Sequence, residues 1–394
     1  MRNRLRTALT LAAIVTGVAA IIISGGFVQD IFVQLRESTI HSRLGHLQIF
    51  RKGYLEYGRR DPSRYLITEF KQLEDAVRAI PHVRDVMARV NFSGLANNSR
   101  ANLPILGEGV EAGKEAGLGT ATTIVAGRQL LDSDRSAAVI GEGVANALQL
   151  RPGRYITLTI NTPEGALNTL EVKVVGIFRT FSKDYDDRAV RIPLADAQEL
   201  LFTPAIHSLV VSLDETRSTD VVTNAVREKL GRQGYDVKPW YLLADFYEKT
   251  VALYKRQFGA LQFIILIMLV LSVASTVNMA VFERTGEFGT LLAIGLRRVQ
   301  IFRLILLENT VLGAFGGLLG VVVGLALAGA ISGIGISMPP PPGSNIGYTA
   351  SIRLEPWVLA AAAAVGAVAA LMASVLPGYR ASRFQVVEAL RHNI

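Results

Sequence analysis

Cysteine is absent from this 394-residue chain, and histidine and tryptophan are scarce, with five and two residues. A chain without cysteine forms no disulfide, offers no thiolate for catalysis or metal binding, and cannot be a lipid-modified lipoprotein. The histidines (His41, His46, His82, His207 and His392) lack the paired spacing that binds zinc, and no Gly-x-Ser-x-Gly motif occurs. The sequence therefore predicts no catalytic, cofactor or metal site, and His46, beside a predicted strand, is interpreted as structural.

Two other patterns that could bind a ligand fall short. The stretch Gly109-Val-Glu-Ala-Gly113-Lys114 resembles a phosphate-binding loop, but it is one residue short between its glycines and no serine or threonine follows the lysine. The acidic cluster Asp184, Asp186 and Asp187 could bind a cation, although a solvated turn is the favoured interpretation. Neither pattern supports an enzymatic function, so we predict a non-catalytic chain.

Long apolar runs dominate the sequence, and the mean hydropathy is +0.34. Four runs reach the roughly 20 residues that cross about 30 Å of hydrocarbon: Thr7–Phe27, Phe258–Val281, Leu304–Ile336 and Leu354–Leu376. We predict a membrane protein with four transmembrane α-helices, one N-terminal and three C-terminal, and a large α+β exported domain between the first and second helices. Because arginines at 2, 4 and 6 precede the first run, a cleaved signal peptide is the alternative there.

The positive charge of the chain is concentrated next to the apolar runs. Of the net charge of +8, residues 2–6 carry +3, the segment 283–303 carries +2 and the residues after Pro377 carry +2. With four spans these three segments share one side, and short loops rich in lysine and arginine face the cytoplasm. We therefore predict a multi-pass protein of the bacterial inner membrane with both termini cytoplasmic. The basic residues form no patch on the exported domain, so nucleic-acid binding is not predicted.

The apolar runs and the charges together set the predicted boundaries. In chain order these are a cytoplasmic tip and transmembrane helix 1 (1–27), an exported α+β domain with helical stalks (28–257), transmembrane helix 2 (258–281), a cytoplasmic loop (282–303), transmembrane helix 3 (304–336), a short Pro-rich external loop (337–353), transmembrane helix 4 (354–376) and a cytoplasmic tail (377–394). Apolar stripes with helical spacing continue past helix 1 (Phe27, Ile31, Leu35) and precede helix 2 (Leu243, Tyr247). These stripes fit two interpretations equally well: two rigid helical stalks, or two surface helices that pack on the exported domain.

Secondary-structure patterns in the exported domain are mixed. Strands are predicted at 45–50, 157–160, 170–178 and 208–213, and helices at 68–80, 143–149, 194–201 and 219–230. Strands and helices in this irregular order indicate an α+β domain, built as one unit or as two subdomains.

Small residues recur at four-residue spacing in the third span, at Gly316, Gly320, Gly324 and Ala328, with Gly313 and Gly317 beside them. Such faces let helices approach closely in lipid, and Ser272 and Ser275 of the second span suit interhelical hydrogen bonds. The glycine face could hold together the helices of one chain, but a dimer lined by two such faces is the preferred interpretation. Glu308, near the cytoplasmic end of the third span, needs a partner, and Arg303 is the predicted one; a proton-relay role is the less favoured alternative.

The loop after the second span carries the most specific motif. Phe282-Glu-Arg-Thr-Gly-Glu-Phe-Gly-Thr-Leu-Leu-Ala-Ile-Gly295 closely resembles the ERxxEIGxLxAxG signature of the MacB/FtsX/LolC-type ABC permeases, with Phe288 where an aliphatic residue is usual. The tail from Pro377 through Arg391 resembles the closing PxxRAxRxxPxEALR motif of the family, with Val386 in place of proline. The segments 45–55 and 139–153 resemble exported-domain motifs of LolC/LolE-like members, although Arg154 replaces an acid.

The resemblance implies a permease subunit without cofactors of its own, energised by a cytoplasmic ABC ATPase dimer that binds ATP and magnesium. The loop itself predicts a short helix with Leu291, Leu292 and Ile294 exposed on the cytosolic side, which needs a partner surface to cover it. The resemblance implies that this helix is a coupling helix that docks on the ATPase. The implied coupling residues are Glu283, Arg284, Glu287, Phe288, Gly289, Leu291, Ala293 and Gly295. Other implied partners are a second permease copy or paralogue, a lipoprotein or amphiphilic substrate, membrane lipids, and a periplasmic chaperone or adaptor. The leading hypothesis is lipoprotein release by mechanotransmission; the alternatives are MacB-like efflux of peptides or macrolides and FtsX-like regulation of a cell-wall hydrolase.

Overall fold

The computed structural model describes residues 2–58, 63–162, 165–340 and 344–383. The chain divides into two compact units. The membrane unit comprises Met1–Phe32, Val251–Met338 and Thr349–Ile394, and the α/β unit comprises Val33–Thr250 with Pro339–Tyr348. The closing motif around Val387–Arg391 lies outside the described residues.

Helices and strands follow one another in irregular order along the described residues. The α-helices are α1 (Arg2–Thr39), α2 (Tyr54–Tyr57), α3 (Phe70–Arg78), α4 (Ala112–Leu118), α5 (Glu142–Ala147), α6 (Lys183–Asp186), α7 (Leu194–Leu200), α8 (Thr219–Leu230), α9 (Asp245–Glu283), α10 (Thr285–Ala293), α11 (Arg298–Ile334) and α12 (Pro356–Ser382). The strands are β1 (Leu47–Arg51), β2 (Val83–Asn97), β3 (Asn102–Val110), β4 (Thr123–Gly127), β5 (Ala137–Gly141), β6 (Tyr155–Asn161), β7 (Leu167–Arg179), β8 (Ala189–Pro193), β9 (Ser208–Leu213), β10 (Tyr235–Pro239), β11 (Ile336–Met338) and β12 (Tyr348–Ala350). A π-helical turn, Ile40–Leu44, directly follows α1.

Four of these helices are long and apolar enough to cross a membrane, which confirms the prediction of one N-terminal and three C-terminal spans. The spanning candidates are Thr7–Leu44, Tyr247–Glu283, Arg298–Ile334 and Pro356–Ser382. α1 and α9 have 38 and 39 residues, so at 1.5 Å per residue each is roughly 57 Å long, nearly twice the thickness of the hydrocarbon core. The helical stripes predicted beside the first two apolar runs therefore belong to continuous helices.

One ten-stranded sheet organises the α/β unit, and part of it closes on itself. Strands β2, β3, β8, β5, β7 and β6 form a ring, because β6 pairs with both β7 and β2. β9, β1 and β10 extend the sheet from β2, and β4 extends it from β7. The pairs β3–β8 and β5–β7 are parallel and the other strand pairs of this sheet are antiparallel. The mixed α+β class is confirmed, and a single sheet replaces the alternative of two subdomains.

The core of the α/β unit combines inward side chains of the sheet with helices α3, α5, α7 and α8. Helix α3 packs there through Leu73 and Val77, which are both buried. Gly109 of β3 lets α7 approach, because a Cβ at this position would collide with the Cβ of Ala197. The four predicted strands and four predicted helices all form, with shifts of a few residues at their ends.

Two rows of glycine on α11 pack against two different helices of the membrane unit. A Cβ added to Gly316 or Gly320 would lie 2.9 Å from Ile14 or 2.7 Å from Val18, both in α1. Gly324 belongs to the same row and faces Ile22 of α1. Close backbone approach of this kind is how small residues stabilise helix pairs in lipid.

The second row faces α12. A Cβ at Gly317 would lie 2.6 Å from the carbonyl oxygen of Ala363, and one at Gly313 would collide with Ala370. Both glycine rows are thus occupied within one chain, and the preferred prediction that they line a dimer is wrong. Ser272 and Ser275 are exposed. Neither is buried against another helix of this unit, although the predicted interhelical hydrogen bonds would require such packing.

Candidate functional site

The connection between α9 and α11 is a helical hairpin built around α10. α10 ends in a Schellman motif, in which the Leu296 N–H donates to the Leu291 carbonyl and the Gly295 N–H donates to the Leu292 carbonyl, both at 3.1 Å. This motif requires a left-handed residue, and Gly295 has φ of +104°. α11 then starts at Arg298, and the side chain of Gln300 in its first turn accepts the Arg297 N–H at 2.7 Å. Both ends of the turn are therefore fixed by local hydrogen bonds.

The inner face of α10 packs into the membrane unit. Phe288 is 1% exposed and belongs to a cluster with Val281, Ile301 and Ile305. Gly289 is buried beside it, and Leu291 is half-buried against the same cluster. These predicted coupling residues hold α10 on the bundle, so Phe288 and Gly289 are not available to a docking partner.

The outer side of the hairpin carries the accessible residues of the motif. Glu283, Glu287, Ala293 and Gly295 are exposed, and Ile294 is 73% exposed at the end of the helix. Val299, at the start of α11, is 58% exposed, and Arg297 and Arg298 are exposed beside it. The expectation that Leu291 and Leu292 are exposed is wrong, because both are half-buried against the bundle, but Ile294 is exposed as predicted. The hairpin thus presents an apolar tip of Ile294 and Val299 flanked by two arginines.

Arg284 pairs with Glu308, and not Arg303 as predicted. The Nη1 of Arg284 lies 2.9 Å from both carboxylate oxygens of Glu308, and its Nε lies 2.8 Å from Glu287. Arg303 is exposed. Sequence proximity favoured Arg303, whereas the reversal of the chain at Gly295 brings Arg284 beside α11.

A buried ionic cluster lies in the α/β unit around the π-helical turn. Glu108 accepts hydrogen bonds from Arg43 at 2.9 Å, Tyr185 at 2.7 Å and Arg191 at 3.3 Å. Arg89 pairs with Glu115 at 2.7 Å. The sequence motifs do not include these residues, because they are far apart in the chain. The feature that could have indicated them is a charged residue within an otherwise apolar strand.

The arginines of this cluster also bind the end of the long first helix. Arg191 donates to the Ser42 carbonyl at 2.7 Å, and Arg89 donates to the Arg43 carbonyl. The last carbonyls of a helix lack intrahelical partners and carry partial negative charge. They therefore complement the excess of positive charge in a cluster of three arginines and two glutamates.

Electrostatics keep Glu108 ionised in spite of its burial. Burial alone would raise the pKa of Glu108, but the charges of Arg89, Arg43 and Arg191 outweigh it and lower this pKa to about 2. Burial raises the pKa of Tyr185, so its hydroxyl remains a hydrogen-bond donor. The cluster is a structural joint with no group poised for proton transfer at neutral pH.

The remaining sequence candidates have structural roles. Lys114 of the loop resembling a phosphate site pairs with Glu74 at 2.6 Å and with Glu111. Asp186 is fully buried and accepts hydrogen bonds from the backbone and hydroxyl of Thr180 and from Asn345 at 2.9 Å. The preferred prediction of a solvated turn is therefore wrong for Asp186. Among the described residues no group of His, Asp and Glu has the arrangement of a metal site.

His46 is structural, as predicted. It is 1% exposed, and its Nδ1 accepts the Leu213 N–H at 3.1 Å. His207 is similarly buried, with its Nδ1 accepting the Asn91 N–H at 3.2 Å. Burial lowers the pKa of each histidine to about 4, so both are neutral at physiological pH.

Two family models match the chain. Residues 7–229 match the MacB-like periplasmic core domain, and residues 259–386 match the FtsX-like permease C-terminal domain. The second match contains the α10 hairpin and the glycine rows of α11.

Individual known proteins are similar over most of the sequence. The chain is 23% identical over 409 residues to the lipoprotein-releasing system transmembrane protein LolC of Neisseria meningitidis, with 98% of this chain and 94% of LolC covered. It is 26% identical over 411 residues to the macrolide export ATP-binding/permease protein MacB of Hyphomonas neptunium, but it spans only 58% of that protein. A solved structure, the periplasmic region of MacB from Actinobacillus actinomycetemcomitans, aligns with 52% of this chain and 93% of its own, with 13% identity and a TM-score of 0.37.

Proposed function

Because this chain belongs to the MacB/FtsX/LolC-type family of ABC transporter permeases, we propose that it couples ATP hydrolysis by a separate cytoplasmic ATPase to extraction or release of lipoproteins or other amphiphiles outside the inner membrane. The observation that carries this proposal is the α10 hairpin. Its inner face is anchored by Phe288, and its tip presents Ile294 to the surroundings. An exposed apolar tip on a rigid, anchored helix suits insertion into a groove of a partner protein.

The proposed orientation puts the hairpin and both termini in the cytoplasm. The basic residues beside the hairpin, Arg297 and Arg298, support this orientation because cytoplasmic loops are enriched in arginine and lysine. These 394 residues contain no complete phosphate-binding loop, so we assign ATP and magnesium binding to the partner ATPase. A second permease copy or paralogue would complete the transporter.

Similarity along nearly the whole length of a LolC protein supports lipoprotein release as the leading substrate hypothesis. MacB-like efflux is the second candidate, because the MacB relative matches 98% of this chain with similar identity. The two differ in partners: release requires a lipoprotein cargo, and efflux requires a periplasmic adaptor. Proteins that co-purify with the chain in mild detergent distinguish them, and a cell-wall hydrolase among these proteins would instead support the FtsX-like alternative.

Substituting the apolar tip tests ATPase docking. Ile294→Asp should reduce the amount of co-purifying ATPase at least tenfold, because a carboxylate would be buried without a partner in the docking groove. The matched control is Ile334→Asp, since Ile334 is 77% exposed at the opposite end of α11. Retention of the ATPase by Ile294→Asp at the level of the control would show that the tip is not the docking surface.

A further inference from the structure

Arg284 joins α10 to α11 through three charge-assisted hydrogen bonds. Its Nη1 donates to both oxygens of Glu308 at 2.9 Å, and its Nε donates to Glu287 at 2.8 Å. Glu287 lies on α10 and Glu308 lies on α11, so a single guanidinium connects the two helices. The planar donor group of arginine holds two carboxylates in a defined relative position, which the single ammonium of lysine does less well.

The Arg284–Glu308 pair lies beside the residue that anchors α10 to the other membrane helices. The guanidinium carbon of Arg284 lies 5.4 Å from the centre of the Phe288 ring, and Phe288 is the buried anchor of α10. Arg284 and Glu308 also line a cavity of about 140 Å³ together with Thr10 and Asn309. Apolar packing at Phe288 resists separation of the helices, and the ionic bonds of Arg284 fix their relative orientation.

Glu308 needs a partner because of its position. It lies within a membrane helix, where an acid is costly unless it is paired. Arg284 neutralises this charge, and the same guanidinium also contacts Glu287 of α10. Besides neutralising Glu308, the pair therefore fixes the relative position of α10 and α11.

We propose that Arg284 and Glu308 form a coupling latch, which transmits displacement of α10 to α11 and does not itself bind the ATPase. This inference rests on the proposed function. α11 contacts α1 through Gly316, Gly320 and Gly324 and contacts α12 through Gly313 and Gly317. A displacement of α11 therefore acts directly on α1 and α12. Arg284 is a positioning residue in this proposal.

The test uses the full chain in complex with its ATPase and a reporter at the far end of α11. Because the sequence lacks cysteine, Ile334→Cys gives a single site for an environment-sensitive fluorophore. In the otherwise unaltered chain, ATP with vanadate should change the emission of this fluorophore. Arg284→Met and Glu308→Gln should reduce the change at least tenfold while the amount of bound ATPase stays within twofold. Arg303→Met is the control, since it removes an exposed charge of α11 that does not contact Arg284 or Glu308, and its response should be retained.

Exchange of the two charges distinguishes a latch from a general packing role. The variant carrying Arg284→Glu and Glu308→Arg, together with Glu287→Gln to remove the like charge beside position 284, should regain at least half of the fluorescence response, because the ion pair is restored with reversed polarity. An unchanged response in Arg284→Met and Glu308→Gln, or no rescue by the exchange, would overturn the latch. Loss of bound ATPase in Arg284→Met but not in Glu308→Gln would identify Arg284 as a docking residue, which refutes the latch and leaves the proposed function standing. If the unaltered chain retains no ATPase at all, both proposals are wrong.

Discussion

Glu108 of the buried ionic cluster allows a quantitative test of how the α/β unit holds the end of α1. Glu108→Gln keeps the size and shape of the side chain but removes its charge. Arg89 and Arg191, which are buried, and the partly exposed Arg43 would then face only one carboxylate, Glu115, and the net charge of the cluster would rise by one unit. We expect this substitution to destabilise the α/β unit far more than an equally conservative change at the surface.

The expected magnitude follows from the pKa of Glu108. Its value falls from 4.5 to about 2 in the folded protein, and each unit corresponds to about 1.4 kcal/mol of preferential stabilisation of the ionised form. Folding therefore favours the carboxylate by about 3 kcal/mol at neutral pH, which agrees with the 3–5 kcal/mol typically lost when one partner of a buried ion pair is removed. For a domain of this size the midpoint of thermal unfolding should drop by roughly 6–12 °C.

Tryptophan fluorescence can follow unfolding of the α/β unit within the 394-residue chain. The chain has two tryptophans, and Trp357→Phe leaves only Trp240, which is 6% exposed within the α/β unit. Glu215→Gln is the matched control, because the Glu215 side chain is 52% exposed. A difference of less than about 1 kcal/mol between the two variants would refute the reasoning.

The pH profile checks the same explanation independently. A carboxylate with a lowered pKa stabilises the fold above its unfolded pKa, and this contribution is lost as the pH falls from 4.5 to about 2. In Glu108→Gln this loss should be absent, so the stabilities of the variant and the parent should converge in acid. Parallel profiles throughout this window would show that the substitution acts by another route.

Two further predictions concern buried histidines and packed glycines. Burial lowers the pKa of His46 and His207 to about 4, so the unfolded state binds more protons than the folded state below pH 6.5. The free energy of unfolding should therefore decrease as the pH falls from 6.5 to 4, by up to about 3 kcal/mol per histidine. His207→Asn should reduce this pH dependence in unfolding scans, and an unchanged pH dependence would contradict the assignment. Gly317→Ala should cost about 1–3 kcal/mol, because the added methyl group meets the Ala363 carbonyl at 2.6 Å; Gly329→Ala, with nothing within 4 Å, should be neutral in thermal unfolding, and equal effects of the two alanines would contradict the packing described.

The membrane helices were predictable because the thickness of the lipid hydrocarbon core sets a minimum length for an apolar helix. A span of apolar residues long enough to cross hydrocarbon has few alternatives to a helix. Strand β9 and helix α8 were predicted with their observed ends, Ser208–Leu213 and Thr219–Leu230, because each has a clear apolar pattern bounded by polar residues. The partner of each glycine row was not predictable from the sequence. A helix of the same chain and a helix of a second copy both require small residues for close packing.

Strands β2 and β3 show why the ionic cluster escaped sequence reasoning. β2 runs over Val83–Asn97 and includes Arg89 and Asn91 among apolar residues, which obscures the pattern of a buried strand. β3 includes Gly107, where a Cβ would collide with the ring of Phe92, yet glycine in a sequence suggests a turn. The partners meet only after β3 and β8 pair, with Glu108 opposite Arg191 in the register. Such long-range pairing depends on the whole sheet and has no local signature.

The α10 hairpin is predicted as a helix with Leu291, Leu292 and Ile294 all exposed, although helical spacing separates these residues. Phe288, Leu291 and Leu292 fall at i, i+3 and i+4, so they share one face of the helix, and Ile294 lies off that face. The structure follows this spacing: Phe288 is 1% exposed, whereas Ile294 is 73% exposed. The motif thus contains residues that hold the helix in place and an exposed residue at the proposed docking surface. Substituting Phe288 would perturb both functions at once, and Ile294 and Arg284 are the positions where docking and transmission can be separated by experiment.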